Sequence, residues 1–366
     1  MSADPARAAL DAQVLAWMRE TEWCEDDARF DRLARALWAF QVEHCEPYRR
    51  FCRGRGLEAD EPGSWRDIPT VPTGAFKEMP LRSFPASRQI HTFRTSGTAT
   101  KRRGELHLDT LSIYEASLLP TLRRFLFPEL PETQRTCIRV LAPSPSEAPD
   151  SSLSHMFGCT LDALGDAISG FDFEAGRLAL EPLLAALESA CGAGEPVALC
   201  GTAFAFVHLL ERLAERGVRL SLPEGSRAME TGGFKGRGRE QSATNLYAEI
   251  ESALGIPPRR IVNQYGMTEL GSQFYDTVLR DPAGPRRKQG PPWARVRVID
   301  PETGEAAAPG AIGAISIVDL ANTGSVLAVQ TADLGRRLPD GFEVLGREAG
   351  AEARGCSIAA DAMLAS

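Results

Sequence analysis

His91-Thr-Phe-Arg-Thr-Ser-Gly-Thr-Ala-Thr-Lys-Arg-Arg-Gly-Glu105 crowds hydroxyls, small residues and cations into one short stretch. Thr95, Ser96, Thr98 and Thr100 can donate to phosphate oxygens, Gly97 lets backbone N–H groups come close, and Lys101, Arg102 and Arg103 supply positive charge. A Walker loop needs two glycines at a fixed spacing followed by Lys and Ser or Thr, and this stretch lacks them, so a Walker-type ATPase is excluded. On its own residues the stretch reads equally as a phosphate cradle or as a solvated turn between a strand, Gln89 to Phe93, and a helix beginning near Asp109. The rest of the chain has to decide.

The 366 residues are enough for one large or two smaller domains with a sizeable core. Hydrophobic residues at 43% and charged residues at 25% place the chain among globular proteins and exclude a fibrous or disordered one. A net charge of −8 argues against nucleic acid as the main partner, because a phosphate backbone calls for a basic face. The N-terminus lacks the basic start and apolar run of a secretory signal, and no stretch is apolar enough to span a bilayer, so a cytoplasmic location is expected. The cysteines at 24, 45, 52, 137, 159, 191, 200 and 356 form no Cys-x-x-Cys pair, which predicts free thiols and no structural zinc.

Outward from the loop, apolar residues at helical spacing from Leu10 to Phe51 predict an N-terminal helical layer, residues 1–60. Pro69, Pro72 and Gly74 force an irregular lead-in past Lys77. An α/β core is expected over 61–290. Within it, Cys137 to Leu141, Val197 to Gly201 and Arg260 to Gln264 read as strands, and Asp109 to Phe127, Glu181 to Ala190, Ala203 to Arg216 and Leu246 to Leu254 as helices. Beyond Pro291, Arg295 to Ile299, Ala314 to Val318 and Val326 to Val329 predict a smaller β-rich subdomain, 291–345, before a tail, 346–366.

Four segments recur in a telling order: Thr95 to Lys101, the pair Gly232-Gly233, Tyr265-Gly-Met-Thr-Glu269, and Gln330-Thr-Ala-Asp333-Leu-Gly335 followed by Gly346-Arg347. In this order they resemble the adenylate-forming (acyl-activating) superfamily, with Ala332 standing where that superfamily has glycine. The lead-in Ile68 to Glu78, the Cys200-Gly-Thr-Ala-Phe segment and the end of the chain resemble more closely the acyl-protein synthetases of bacterial bioluminescence (the LuxE type), relatives of phenylacetate–coenzyme A ligases.

That resemblance implies an α/β fold of mixed sheets flanked by helices, without the separate C-terminal domain and catalytic lysine of larger relatives. It implies ATP and Mg2+ as cofactors and a carboxylic, fatty or aryl, acid as substrate. By carry-over Glu269 holds Mg2+, Thr95, Ser96, Gly97, Thr98 and Thr268 bind phosphate oxygens, Tyr265 and Gly266 with Gly232 and Gly233 meet the adenine, Asp333 takes the ribose hydroxyls, and Arg347 approaches the ribose or α-phosphate. Lys77, Lys101 and Lys235 are the candidates for the cation otherwise supplied by the missing lysine. His155, Gly201 and Thr202 are candidates for the acyl pocket. Cys356, in Arg354-Gly-Cys-Ser357, is the candidate acyl acceptor, with acyl-accepting or acyl-donating proteins as partners. Two alternatives stay open: a carboxylate–coenzyme A ligase, and a catalytically degenerate nucleotide- or acyl-binding module.

Overall fold

The computed structural model describes residues 4–57, 62–95, 102–174, 176–232 and 242–347. They fall into two compact units. One comprises Met1–Pro120, Met267–Gln273 and Lys288–Ser366, and the other Thr121–Gly266 and Phe274–Arg287.

The first unit begins with the expected helical layer: Pro5–Met18, Asp27–His44 and Glu46–Gly54. Asp26 caps the second helix by accepting the Arg29 N–H at 2.8 Å, and the apolar stripe buries Phe30, Leu33, Leu37, Trp38 and Phe40. The β-rich part is an antiparallel meander of strands Ala294–Ile299, Ile312–Asp319, Ala328–Leu338 and Gly341–Arg347. Lys288–Gln289 pairs with the last of these, and the proline-bounded Val71–Pro72 runs parallel to Val329–Gln330. The third strand is longer than the predicted Val326 to Val329 and carries Asp333 within it.

The opening stretch takes a form that differs from the turn between strand and helix. It is a hairpin, His91–Arg94 antiparallel to Glu105–Leu108, and the helix starts afterwards at Ser112. Phe93 and Leu106 are cross-strand partners, both buried, and the Phe93 ring lies 5.1 Å from that of Tyr114.

The second unit is a parallel sheet. Its strands lie in the order Gly170–Phe171, Cys137–Leu141, Val197–Thr202, Arg227–Thr231 and Ile261–Tyr265, and Phe274–Asp276 closes it antiparallel. Helices Ser152–Leu164, Leu180–Ala193, Ala203–Glu215 and Ala243–Leu254 flank it. Leu183, Leu187, Leu199, Phe206, Leu209, Leu213, Ala228, Ile250 and Ile261 share one apolar core. Truncating such a leucine to alanine typically costs about 2–5 kcal/mol. The α/β expectation, mixed sheets flanked by helices, is met. Among the described residues no helix is long and apolar enough to cross a membrane.

Candidate active site

Among the described residues, six expected site residues belong to the first unit: Lys77, Thr95, Thr268, Glu269, Asp333 and Arg347. The strands of the hairpin present Thr95 at their loop end, where its N–H donates to the Gly104 carbonyl at 2.9 Å and its Oγ1 accepts the Gly104 N–H at 2.9 Å. A Cβ built on Gly104 would lie 3.1 Å from Thr95 Cγ2 and 3.4 Å from Glu269 Oε1. The base of the hairpin and the Glu269 carboxylate are therefore neighbours. Arg103 braces this base by donating Nε to the Thr95 carbonyl at 2.6 Å, and Arg102 reaches Glu78 at 3.4 Å. Ser96, Gly97, Thr98 and Lys101 lie outside the described residues.

Glu269 is 6% exposed. Burial pushes its carboxyl up to about 7; its own backbone hydrogen bond, Arg347 and Lys77 oppose that rise, while Asp333 adds to it. Four of the six residues thus share one electrostatic neighbourhood. Asp333 and Arg347 are register partners on adjacent strands, and Arg347 Nε lies 3.3 Å from Asp333 Oδ1. The Asp333 N–H donates to Thr331 Oγ1 at 3.1 Å, which holds the strand at the carboxylate. The buried Glu269 carboxylate beside the Thr95–Gly104 pair offers the oxygen donor that a hard divalent cation takes, with water and phosphate oxygens as its other ligands.

The second unit holds Gly232, Tyr265, Gly266, His155, Gly201 and Thr202. Leu141, Gly201, Glu230 and Asn263 are successive register partners across four parallel strands. They stand at the carboxyl ends of those strands, where open α/β sheets bind ligands. Gly232 follows directly with φ 88°, a conformation that favours glycine. Tyr265 ends its strand with its ring 6.3 Å from that of Phe274. Thr202 caps its helix, Oγ1 accepting the Ala205 N–H at 3.1 Å, and a Cβ on Gly201 would come within 2.8 Å of Leu141 Cβ. Those two acyl-pocket candidates therefore each have a packing duty. His155 Nε2 lies 3.5 Å from Cys159 Sγ on the helix after the first strand. Gly233, Lys235 and Cys356 lie outside the described residues.

Residues 6–365 match the family described as acyl-protein synthetase, LuxE. The chain belongs to that family. Among this family member's curated relatives is the long-chain-fatty-acid–luciferin-component ligase of Aliivibrio fischeri, 22% identical over 319 residues, which are 86% of this chain and 81% of the relative. The fold of this chain is similar to that of an open conformation of 2-hydroxyisobutyryl-CoA ligase in complex with 2-HIB-AMP and CoA, at 16% identity and a TM-score of 0.61, covering 89% of this chain and 76% of that one. ATP-bound MatB from Rhodopseudomonas palustris aligns at 19% identity and a TM-score of 0.49 over 72% of this chain, which spans about half, 49%, of that protein's length.

In this acyl-protein synthetase family member the motifs left several polar residues unremarked. Glu230 is buried, and it accepts the Tyr247 hydroxyl at 2.8 Å and Asn263 Nδ2 at 2.6 Å. Burial pushes the Tyr247 hydroxyl well up, so it stays a donor. The Asn263 N–H donates to Asp276 at 3.0 Å, which ties this group to the antiparallel strand. The sequence gives little signal for it: Glu230 lies in Arg227-Ala-Met-Glu-Thr231, which has no apolar run. In the first unit, Asp319, just past the expected strand Ala314 to Val318, and Asn322 both bond the Glu269 segment.

Proposed function

We propose that this chain is an ATP-dependent acid–thiol ligase that activates a carboxylic acid as its acyl-adenylate and passes the acyl group to a cysteine thiol, with Cys356 on the 346–366 tail as the acceptor. Family membership supports ATP-dependent acyl activation in general. The observation that carries the reading is the buried Glu269 carboxylate, set against the Thr95–Gly104 hairpin base in the field of Lys77 and Arg347.

In the first step a carboxylate oxygen attacks the α-phosphorus of ATP, and pyrophosphate leaves. Both reactants are anions, so neutralising charge is the main demand. Glu269 is the residue that would hold Mg2+, which when bound supplies positive charge to the phosphate oxygens. Thr268 and the hydroxyls from Thr95 to Thr98 donate to phosphate oxygens, with Gly97 allowing close approach. Lys77 or Lys101 supplies the cation that stabilises the crowded phosphorus. Asp333 accepts the ribose hydroxyls, Arg347 lies alongside, and Tyr265 with Gly232, Gly233 and Gly266 frames the adenine. In the second step a thiolate attacks the acyl carbonyl carbon, and AMP leaves with the bonding electrons.

Burial pushes the thiols of Cys52, Cys137 and Cys200 up to about 12, which unfits them as nucleophiles at neutral pH. A tail cysteine flanked by glycine and serine suits the role better. His155, Gly201 and Thr202 are the proposed wall of the acyl pocket. A fatty acid is the proposed substrate class, in line with the name of the Aliivibrio relative.

The test is carboxylate-dependent return of labelled pyrophosphate into ATP, run over a panel of straight-chain and aryl acids. Exchange with any acid supports activation, and its absence with all of them defeats the reading. Labelled acid with ATP should then leave a hydroxylamine-labile label on the denatured chain. If coenzyme A instead speeds AMP release and a Cys356→Ser chain keeps full activity, the acceptor is coenzyme A.

A further inference from the structure

The Glu269 carboxylate is aimed by its backbone, and the residues that hold that backbone lie outside all four motifs. Segment 267–273 runs along the turn that follows strand Ile312–Asp319 and is laced to it at three points. Asn322 Nδ2 donates to the Glu269 carbonyl at 2.8 Å. A Cβ on Gly271 would stand 2.7 Å from Ala321 Cβ, so the two backbones touch. Asp319 accepts the Ser272 N–H at 2.8 Å and the Ser272 hydroxyl at 2.7 Å.

The turn is held in its turn from the N-terminal helices. Gln41, 0% exposed, donates Nε2 to the Asn322 carbonyl at 2.8 Å and accepts the Leu327 N–H at 2.9 Å. Arg7 donates to Thr323 Oγ1 at 2.8 Å. An asparagine serving only its own turn would bond nearby backbone. Asn322 does so through its 3.2 Å contact to the Val326 carbonyl, yet its shorter bond goes to Glu269, 53 residues earlier. Because Asn322 is only 3% exposed, water does not readily replace that donor.

We infer that Asn322, backed by Gln41, is a positioning residue that sets the Glu269 carboxylate for the cation and phosphates it meets in the reaction. The inference rests on the proposed role of Glu269. Its chemistry is that of outer-shell groups that orient a metal-binding carboxylate, whose loss typically weakens metal affinity about 10-fold or more.

Two full-length variants, Asn322→Ser and Gln41→Met, test it through two readouts. Hydrogen exchange of the 267–273 segment should quicken by about 10-fold or more in both, while the strand pair Ala328–Leu338 and Gly341–Arg347 keeps its protection. In pyrophosphate exchange with the acid that wild type uses best, the KM for Mg2+ should rise about 10-fold, with a smaller change in the KM for ATP. Unchanged protection of 267–273 in a folded variant, or an unchanged Mg2+ requirement, overturns the inference. If wild type itself shows no exchange with any acid, the functional reading falls, and hydrogen exchange alone still decides whether Asn322 holds the segment. Should one variant fail to fold, the other carries the same two measurements.

Discussion

Thr95 and Gly104 are bonded to each other in both directions across the loop end of the hairpin, N–H to carbonyl at 2.9 Å and N–H to Oγ1 at 2.9 Å. The side-chain hydroxyl thus helps to shape the loop end, beside which the Glu269 carboxylate lies. Thr95→Val removes the acceptor, and pyrophosphate exchange should fall about 100-fold, the usual loss for a preorganised polar group at developing charge. Thr95→Ser should keep most of the rate. Gly104→Ala should fall as Thr95→Val does, because its new Cβ would press on Thr95 Cγ2 at 3.1 Å.

A second expectation concerns stability against pH. The Glu269 carboxyl is pushed from the ordinary 4.5 to about 7, chiefly by burial. The folded chain therefore binds a proton more tightly than the unfolded chain. That contribution to stability is fully present below about 4.5 and is lost as pH rises through about 7. At about 1.4 kcal/mol per pH unit it is on the order of 3 kcal/mol. Urea melts at pH 5 and pH 8 should differ more for wild type than for Glu269→Gln, which carries no titrating group. Equal differences in the two proteins would refute the assignment. Glu269→Gln should also abolish pyrophosphate exchange at every pH.

Occupation of Glu269 by a cation requires the carboxylate, so binding of Mg2+ with ATP should release protons at pH 6.5. Calorimetry in two buffers of different ionisation enthalpy reads that release directly. Wild type should show it and Glu269→Gln should not.

The Asp333–Arg347 pair makes a fourth prediction. Arg347 is the strongest neighbouring cation opposing the rise at Glu269, so Arg347→Ala should move the acid limb of the exchange rate to higher pH. Asp333→Asn has the reverse effect on that limb, because a like charge is removed, and it should raise the KM for ATP through the lost ribose acceptor. A rate profile identical to wild type in both variants would separate this pair from the site.

Acyl transfer supplies the last. Cys356→Ser should lose the hydroxylamine-labile label while keeping pyrophosphate exchange, since the two steps use different groups. Replacing Cys52, Cys137 or Cys200 by alanine should leave labelling intact, because burial holds those thiols at about 12. Loss of exchange in Cys356→Ser would place that residue in the first step instead.

Much of the architecture was legible from periodicity. The helix Asp27–His44 announces itself by apolar residues three and four apart, and strands such as Val197–Thr202 by short apolar runs ending in glycine. Strand Arg227–Thr231 carries no apolar run, and a charged Arg227 and Glu230 give no sign of burial in the sequence. Both are buried, Arg227 against Glu129 and Glu230 beneath Tyr247 and Asn263, and such partners lie too far along the chain for a local pattern to reveal. The hairpin was missed for a related reason. Four-residue strands carry little periodicity, and the pairing of Phe93 with Leu106 spans the loop itself.

The sequence by itself determined the family, because Thr95 to Lys101, Tyr265 to Glu269, Asp333 and Arg347 are short motifs whose residue types and order survive in the linear chain. Tertiary structure alone decided what Glu269 experiences. Its burial, the opposing charges of Lys77 and Arg347, and the grip of Asn322 on its carbonyl come from segments separated by scores of residues. Electrostatics and hydrogen bonding act through space, and only the folded chain brings those segments within reach.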